Sequence, residues 1–154
     1  MYKFNLTTEE DIAKLVDAIR EDDAAEVDAL SAKSLEISIR ESVKGSEEAW
    51  TATFKGEVLC IFGIAKFNLL SEEACPWLMT AKGIEKHRKA FLTGTKVTLD
   101  YWKARYSVLV NYVDARYTRA IRWAKWAGFT VHPAEPYGAY GHPFHKIEIK
   151  TDGS

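Results

Sequence analysis

The chain alternates between stretches of helical and of extended hydrophobic spacing, and this pattern predicts most of its elements. Tyr2 to Leu6 alternates apolar with polar residues and reads as a short strand; Thr7-Thr8-Glu9-Glu10-Asp11 then offers an N-cap and an acidic first turn. Ile12, Leu15, Val16 and Ile19 recur at three- and four-residue spacing, so a helix follows, with the acidic run Glu21-Asp22-Asp23 expected at its end. A second helix is predicted from about Ala24 to Val43, burying Val27, Leu30, Leu35 and Ile39 and stopping at Gly45.

At Trp50 the period shortens. Trp50 to Phe54 and Val58 to Ala65 read as two strands joined by a tight turn at Lys55-Gly56-Glu57. Pro76 to Thr80 makes a further short strand. A helical pattern carrying Phe91, Leu92, Leu99 and Trp102 then runs to about Arg105, with Gly94 expected to weaken or interrupt it. Val108 to Val113 is a buried strand by its β-branched content, Tyr117 to Ala127 a helix ended by Gly128, and Phe129 to Val131 extended. A Pro/Gly/aromatic loop is expected from His132 to Pro143, before a closing edge strand in which His145, Ile147 and Ile149 alternate with charged residues. The order β-α-α-β-β-β-α-β-α-β-β predicts one α/β domain over residues 1–154, with a mixed central sheet flanked by helices.

Composition is consistent with a self-supporting core: 154 residues, 47% of them hydrophobic, with seven Phe, seven Tyr and five Trp. Cys60 and Cys75 form no CxxC pair and read as buried, reduced thiols. The N-terminus runs straight into an acidic helix, without a signal-peptide core or a long apolar span, which predicts a protein kept in a cytosol. A net charge of −1 conceals a split: residues 1–81 carry 8 Lys/Arg against 16 Asp/Glu, and residues 82–154 carry 13 against 6. The basic half either faces an anion or pairs with the acidic half.

Residues 113–129 hold the clearest local motif, Val-Asp-Ala-Arg-Tyr-Thr-Arg-Ala-Ile-Arg-Trp-Ala-Lys-Trp-Ala-Gly-Phe. Its Ala120-Ile121 and Gly128-Phe129 pairs, with the element order, resemble the GNAT N-acetyltransferases. Tyr117 stands where that family commonly has Asn, and Ala124 where it has Tyr. From Cys75 to Val131 the chain also resembles small proteins of short-tailed bacteriophages, an acetyltransferase-like or internal virion protein A group. The features that carry this are Pro76-Trp-Leu-Met-Thr80, His87-Arg-Lys89 and Val110-Asn-Tyr-Val113.

The resemblance implies a GNAT-like fold, acetyl-CoA as acyl donor and an amine acceptor, with the donor lying between the strands around Met79 and Val110. The pyrophosphate loop would fall on residues 80–89, where Lys82, Gly83, Arg88 and Lys89 are the cofactor-binding candidates: one glycine for close backbone approach, and cations for phosphate. A solvated helix start would look the same. Tyr117, Tyr112 and Glu73 are the candidates for proton transfer, with Glu57 and Glu72 also near the central strands in sequence. The alternative is a scaffold without catalysis that binds a host or phage protein in the host cytoplasm or the virion, using its Trp- and Arg-rich second half. Arg116, Arg119, Arg122 and Lys125 band the last helix, but without an RNP-like motif or net basic charge they read as a solvated face rather than a nucleic-acid surface. His132, His142 and His145 lack ligand spacing and read as loop histidines, so no metal is expected.

Overall fold

The computed structural model describes residues 1–66, 70 and 72–151. A seven-stranded sheet is ordered β1-β2-β3-β4-β5-β7-β6, from β1 (Tyr2–Leu6), β2 (Glu48–Phe54), β3 (Glu57–Lys66), β4 (Glu73–Thr80), β5 (Val108–Asp114), β6 (Thr130–Tyr137) and β7 (His142–Lys150). All neighbours are antiparallel except β4 and β5, which run parallel. One face carries α1 (Glu9–Ala18), α2 (Glu21–Leu30) and α3 (Leu35–Lys44) over a core of Ile12, Leu15, Ile39, Ile61 and Met79. The other carries α4 (Arg88–Lys103) and α5 (Thr118–Ala127) over Ile64, Ala74, Leu99, Trp102, Leu109 and Ile147.

Local chemistry accounts for most boundaries. Thr8 closes a capping box with Asp11 at the start of α1. Lys55 and Gly56, both at positive φ, make the two-residue turn between β2 and β3. Gly128, at φ 103°, ends α5 in the left-handed conformation, which costs a glycine no Cβ clash.

Four sequence expectations are corrected. The acidic run Glu21-Asp22-Asp23 does not close the first helix but opens α2, where three carboxylates favour the positive end of the helix dipole. The helix expected over Ala24–Val43 is two helices, because Ser31 is extended and Ser34 caps α3 through the N–H of Ile37. Gly94 does not interrupt α4, which runs unbroken from Arg88 to Lys103, and a methyl group there would meet open space. The tail from His132 to Pro143 is largely hairpin: β6 pairs with β7 around a turn at Gly138–Gly141.

Candidate active site

The two parallel strands part almost at once. β4 and β5 pair only at Glu73↔Val108 and Ala74↔Leu109. The cause lies in Pro76. The bond from the N–H of Ala81 to the carbonyl of Leu59 fixes the β3–β4 ladder, so the backbone polar groups of residues 76, 78 and 80 point away from β3, toward β5. Pro76 has no N–H to give, so the parallel ladder stops there. Its carbonyl instead accepts from Asn111 Nδ2 at 2.6 Å, a side chain spanning the start of the gap. At the far end the N–H and hydroxyl of Thr80 donate to Asp23 Oδ2, at 2.5 and 2.7 Å, and its carbonyl accepts from the N–H of Arg20 at 2.9 Å. The N–H and C=O of Leu78, between these two points, face the gap.

Helix α2 lies across the mouth of this opening. Asp23 in its first turn holds the end of β4, and the N–H of Asp114 at the end of β5 donates to the carboxyl of Glu26. The carbonyl of Leu30 receives the N–H of Ala139 from the β6–β7 turn. Burial, then the charge of Asp23, push the Glu26 carboxyl up to about 7, against the opposing hydrogen bond from Asp114. Burial acts upward on Asp114 as well, but hydrogen bonds and charge from Arg116 outweigh it and hold that carboxyl below its ordinary value. Two carboxyls at one strand end are thus driven in opposite directions, an arrangement that separates a proton acceptor from a fixed anion.

The candidates for a phosphate site gather at the same end of β4. Residues Lys82–His87 form a 3-10 helix that leads directly into α4 at Arg88. Lys82, Arg88 and Lys89 are exposed and, among the described residues, make no ion pair. Gly83 is different: the carboxylate of Glu57 packs where its side chain would be, so a phosphate can reach this face of the glycine only if Glu57 swings aside. Glu85 bridges Arg20, at 3.1 Å, and Arg119 of α5, at 2.6 Å, linking the flanks of the opening. Burial would raise Glu85, but the hydrogen bond from Arg20 and the charges of Arg119 and Arg20 hold it lower than usual.

The proton-transfer candidates are scattered. Glu73 begins β4 at the closed end of the gap, seven residues and so about 23 Å from Thr80. Tyr112, on the α2 side of β5, stacks on Tyr137 with ring centroids 3.8 Å apart and 9° between planes. Tyr117 precedes α5 and lines a shallow cavity of about 310 Å³ with Ala25, Asp28, Arg116, Tyr140 and His142. Burial raises its phenol, as do Asp114, Asp22 and Glu26, against the charge of Arg116. Glu72 instead receives the hydroxyl of Ser107. Of the tail histidines, His132 pairs with Glu148 at 2.7 Å, while the ring Nδ1 of His145 bonds the carbonyl of His132. Asp23 and Glu26 were not legible as site residues. Read locally, Asp23 belongs to an acidic helix end and Glu26 to the start of the next helix, and only the packing of α2 over the parted strands gives them a role.

No family model and no curated protein matches the sequence. Solved structures do. Over 97% of this chain and 99% of the other, it is similar to the smu.2055 protein of Streptococcus mutans, with TM-score 0.72 at 11% identity. It is similar to the spermidine N-acetyltransferase of Vibrio cholerae, solved with CoA and spermine, over 97% of this chain and 95% of that one, with TM-score 0.71 at 13% identity. An N-acetyltransferase of Staphylococcus aureus matches over 99% of both chains, with TM-score 0.67 at 16% identity. The chain therefore has the GNAT fold, a mixed sheet whose two parallel strands part between flanking helices.

Proposed function

We propose that the protein is an acetyl-CoA-dependent N-acetyltransferase that modifies an amine. The observation that carries this reading is the parting of β4 and β5 after two residue pairs, with the backbone donor and acceptor of Leu78 turned into the gap. Acetyl-CoA supplies an activated acyl thioester. The Leu78 N–H and C=O offer amide-type hydrogen bonds to its arm, and Lys82, Arg88 and Lys89 offer charge to its phosphates. Glu26, held near neutrality at the mouth, takes the proton from the acceptor amine, for which a pKa near the working pH is the favourable value. Tyr117, which lines the shallow cavity together with Ala25 and Asp28 of α2, takes the place of the phenol absent at Ala124 as proton donor to the leaving thiolate.

The first experiment is a thermal-shift and calorimetric titration with acetyl-CoA and CoA, since a ligand bound only by the folded state raises its apparent stability. Binding should be followed by release of free thiol in the presence of an amine panel. No shift at millimolar acetyl-CoA rejects the proposal.

Specific contacts favour a second reading, a GNAT scaffold that has given up catalysis. Asn111 crosses the start of the gap, Asp23 occupies the backbone donor at the end of β4, Glu57 covers Gly83, and Ala124 brings no hydroxyl. In that reading the protein is phage-encoded and binds a host or virion protein, in the host cytoplasm or the particle. It is distinguished by a folded protein that ignores acetyl-CoA yet retains one reproducible partner from infected cells.

A further inference from the structure

The sheet ends in two edges of opposite character. β6 is blunted by Pro133, Pro136 and Glu135 and by a register shift between Val131 and Ala134, devices that prevent further pairing. β1 has neither a proline nor a register shift, yet all five of its residues are exposed. The bond from the N–H of Thr7 to the carbonyl of Ala49 fixes the β1–β2 ladder. By alternation Lys3 and Asn5 direct their backbone groups inward to β2, while Tyr2, Phe4 and Leu6 direct theirs outward to the free edge. The side chains of these same three residues stand on the α4 face of the sheet, beside Phe54, Ala52 and Trp50, and are 40%, 60% and 62% exposed. Helix α4 packs on the core around Ile64 and Leu109; His87 at its start meets the Tyr2 hydroxyl at 2.7 Å, while Phe4 and Leu6 are left open.

We propose that this edge is the interface with a second copy of the chain, in which β1 pairs antiparallel with the partner's β1 about a two-fold axis at Phe4. The occupant follows from how the strand complements itself. In this register Phe4 opposes Phe4 of the partner subunit, and Tyr2 opposes Leu6 of the partner subunit. These are the very positions whose donors and acceptors face outward, so about six new backbone hydrogen bonds form without disturbing the β1–β2 ladder. Lys3 falls opposite Asn5 of the partner subunit, so the edge's single charge meets no like charge directly across. The apolar rows of both copies become continuous on the α4 face, and a two-fold interface closes on itself rather than propagating as a fibre.

The test is sedimentation velocity by analytical ultracentrifugation of the whole chain from about 1 to about 200 µM, a range that brackets micromolar dissociation constants, with mass by light scattering. A dimer is expected. Phe4→Pro removes one outward N–H and leaves every inward one, so it should weaken dimerisation by at least about tenfold while far-UV circular dichroism stays that of the parent. As a second measurement, Phe4→Cys should form an intermolecular disulfide readily, because hydrogen-bonded opposed residues lie about 5.5 Å apart at Cα. Leu6→Cys should not, since its symmetry mate is four residues away along the strand, about 13 Å. A monomer throughout, a dimer that Phe4→Pro leaves intact, or cross-linking at position 6 as fast as at position 4 would each overturn the proposal. None of these outcomes depends on acetyl-CoA.

Discussion

Replacing Glu26 with Gln tests the electrostatics of the opening without touching its shape. The carboxyl has an ordinary value of 4.5 and is pushed up to about 7 in the fold by burial and by Asp23. Its folded-state pKa is therefore raised, and the sign follows: between pH 4.5 and 7 the folded chain keeps a proton that the unfolded chain has lost. The stabilisation is complete below the unfolded value and disappears as pH rises through 7. At about 1.4 kcal/mol per pKa unit, the shift amounts to roughly 3 kcal/mol of stability that wild type loses on ionising Glu26. Gln is close in shape to the protonated acid and does not titrate. Glu26→Gln should match wild type within about 1 kcal/mol at pH 5 and exceed it by roughly 2 to 3 kcal/mol at pH 8. Urea unfolding of both proteins at unit pH intervals from 5 to 8 reads this difference directly, because titrating groups not coupled to Glu26 cancel between the two and the coupled aspartates stay ionised across this range. Parallel stability curves would show that Glu26 is solvated or that Asp23 does not face it, and the argument for a near-neutral proton acceptor would fall with them. If the acetyltransferase reading holds, the stabler variant should also be the slower one, with kcat reduced by about 10² to 10⁴.

Arg88→Ala together with Lys82→Ala should weaken CoA about ten- to a hundredfold, more at low salt than at high, as isothermal calorimetry at two ionic strengths would show; unchanged affinity would remove these residues from the site. Glu57→Ala should tighten CoA in the same assay by uncovering Gly83, and weaker binding would mean that the carboxylate supports the loop. Gly94→Ala should stabilise the protein by up to about 1 kcal/mol, since the methyl group meets open space in mid-helix, whereas Gly63→Ala should cost roughly 1 to 3 kcal/mol, because its Cβ would lie 2.7 Å from the Glu48 carbonyl and 2.8 Å from Trp77. Thermal denaturation of the pair checks both signs. Burial raises the Cys60 thiol to about 12 and that of Cys75 to about 11, so both should react with a thiol reagent at pH 8 far more slowly than free cysteine; a fast phase in the native protein would contradict their placement.

What the sequence determined by itself was what nearest neighbours along the chain decide. The Thr8 cap, the Lys55-Gly56 turn, the Gly128 stop and the 3.6-residue spacing of α1, α4 and α5 are local physics, and all appear in the fold. Periodicity could not place breaks made by a hydroxyl competing for the backbone, so Ser34 divided a helix that its apolar residues would have carried through. Nor could it tell whether Glu21-Asp22-Asp23 ends one helix or starts another, since that depends on where Ile19 leaves the helix to meet Ala81 across the sheet. The basic segment from Lys82 to Lys89 was visible as charge, but the carboxylate lying on Gly83 comes from β3, 26 positions earlier in the chain. The candidate site is decided almost entirely at this level. Pro76 parts two strands whose neighbours are far away in sequence, and α2 brings Asp23 and Glu26 over the opening, where exclusion of water gives an ordinary acidic helix turn a carboxyl that titrates near 7.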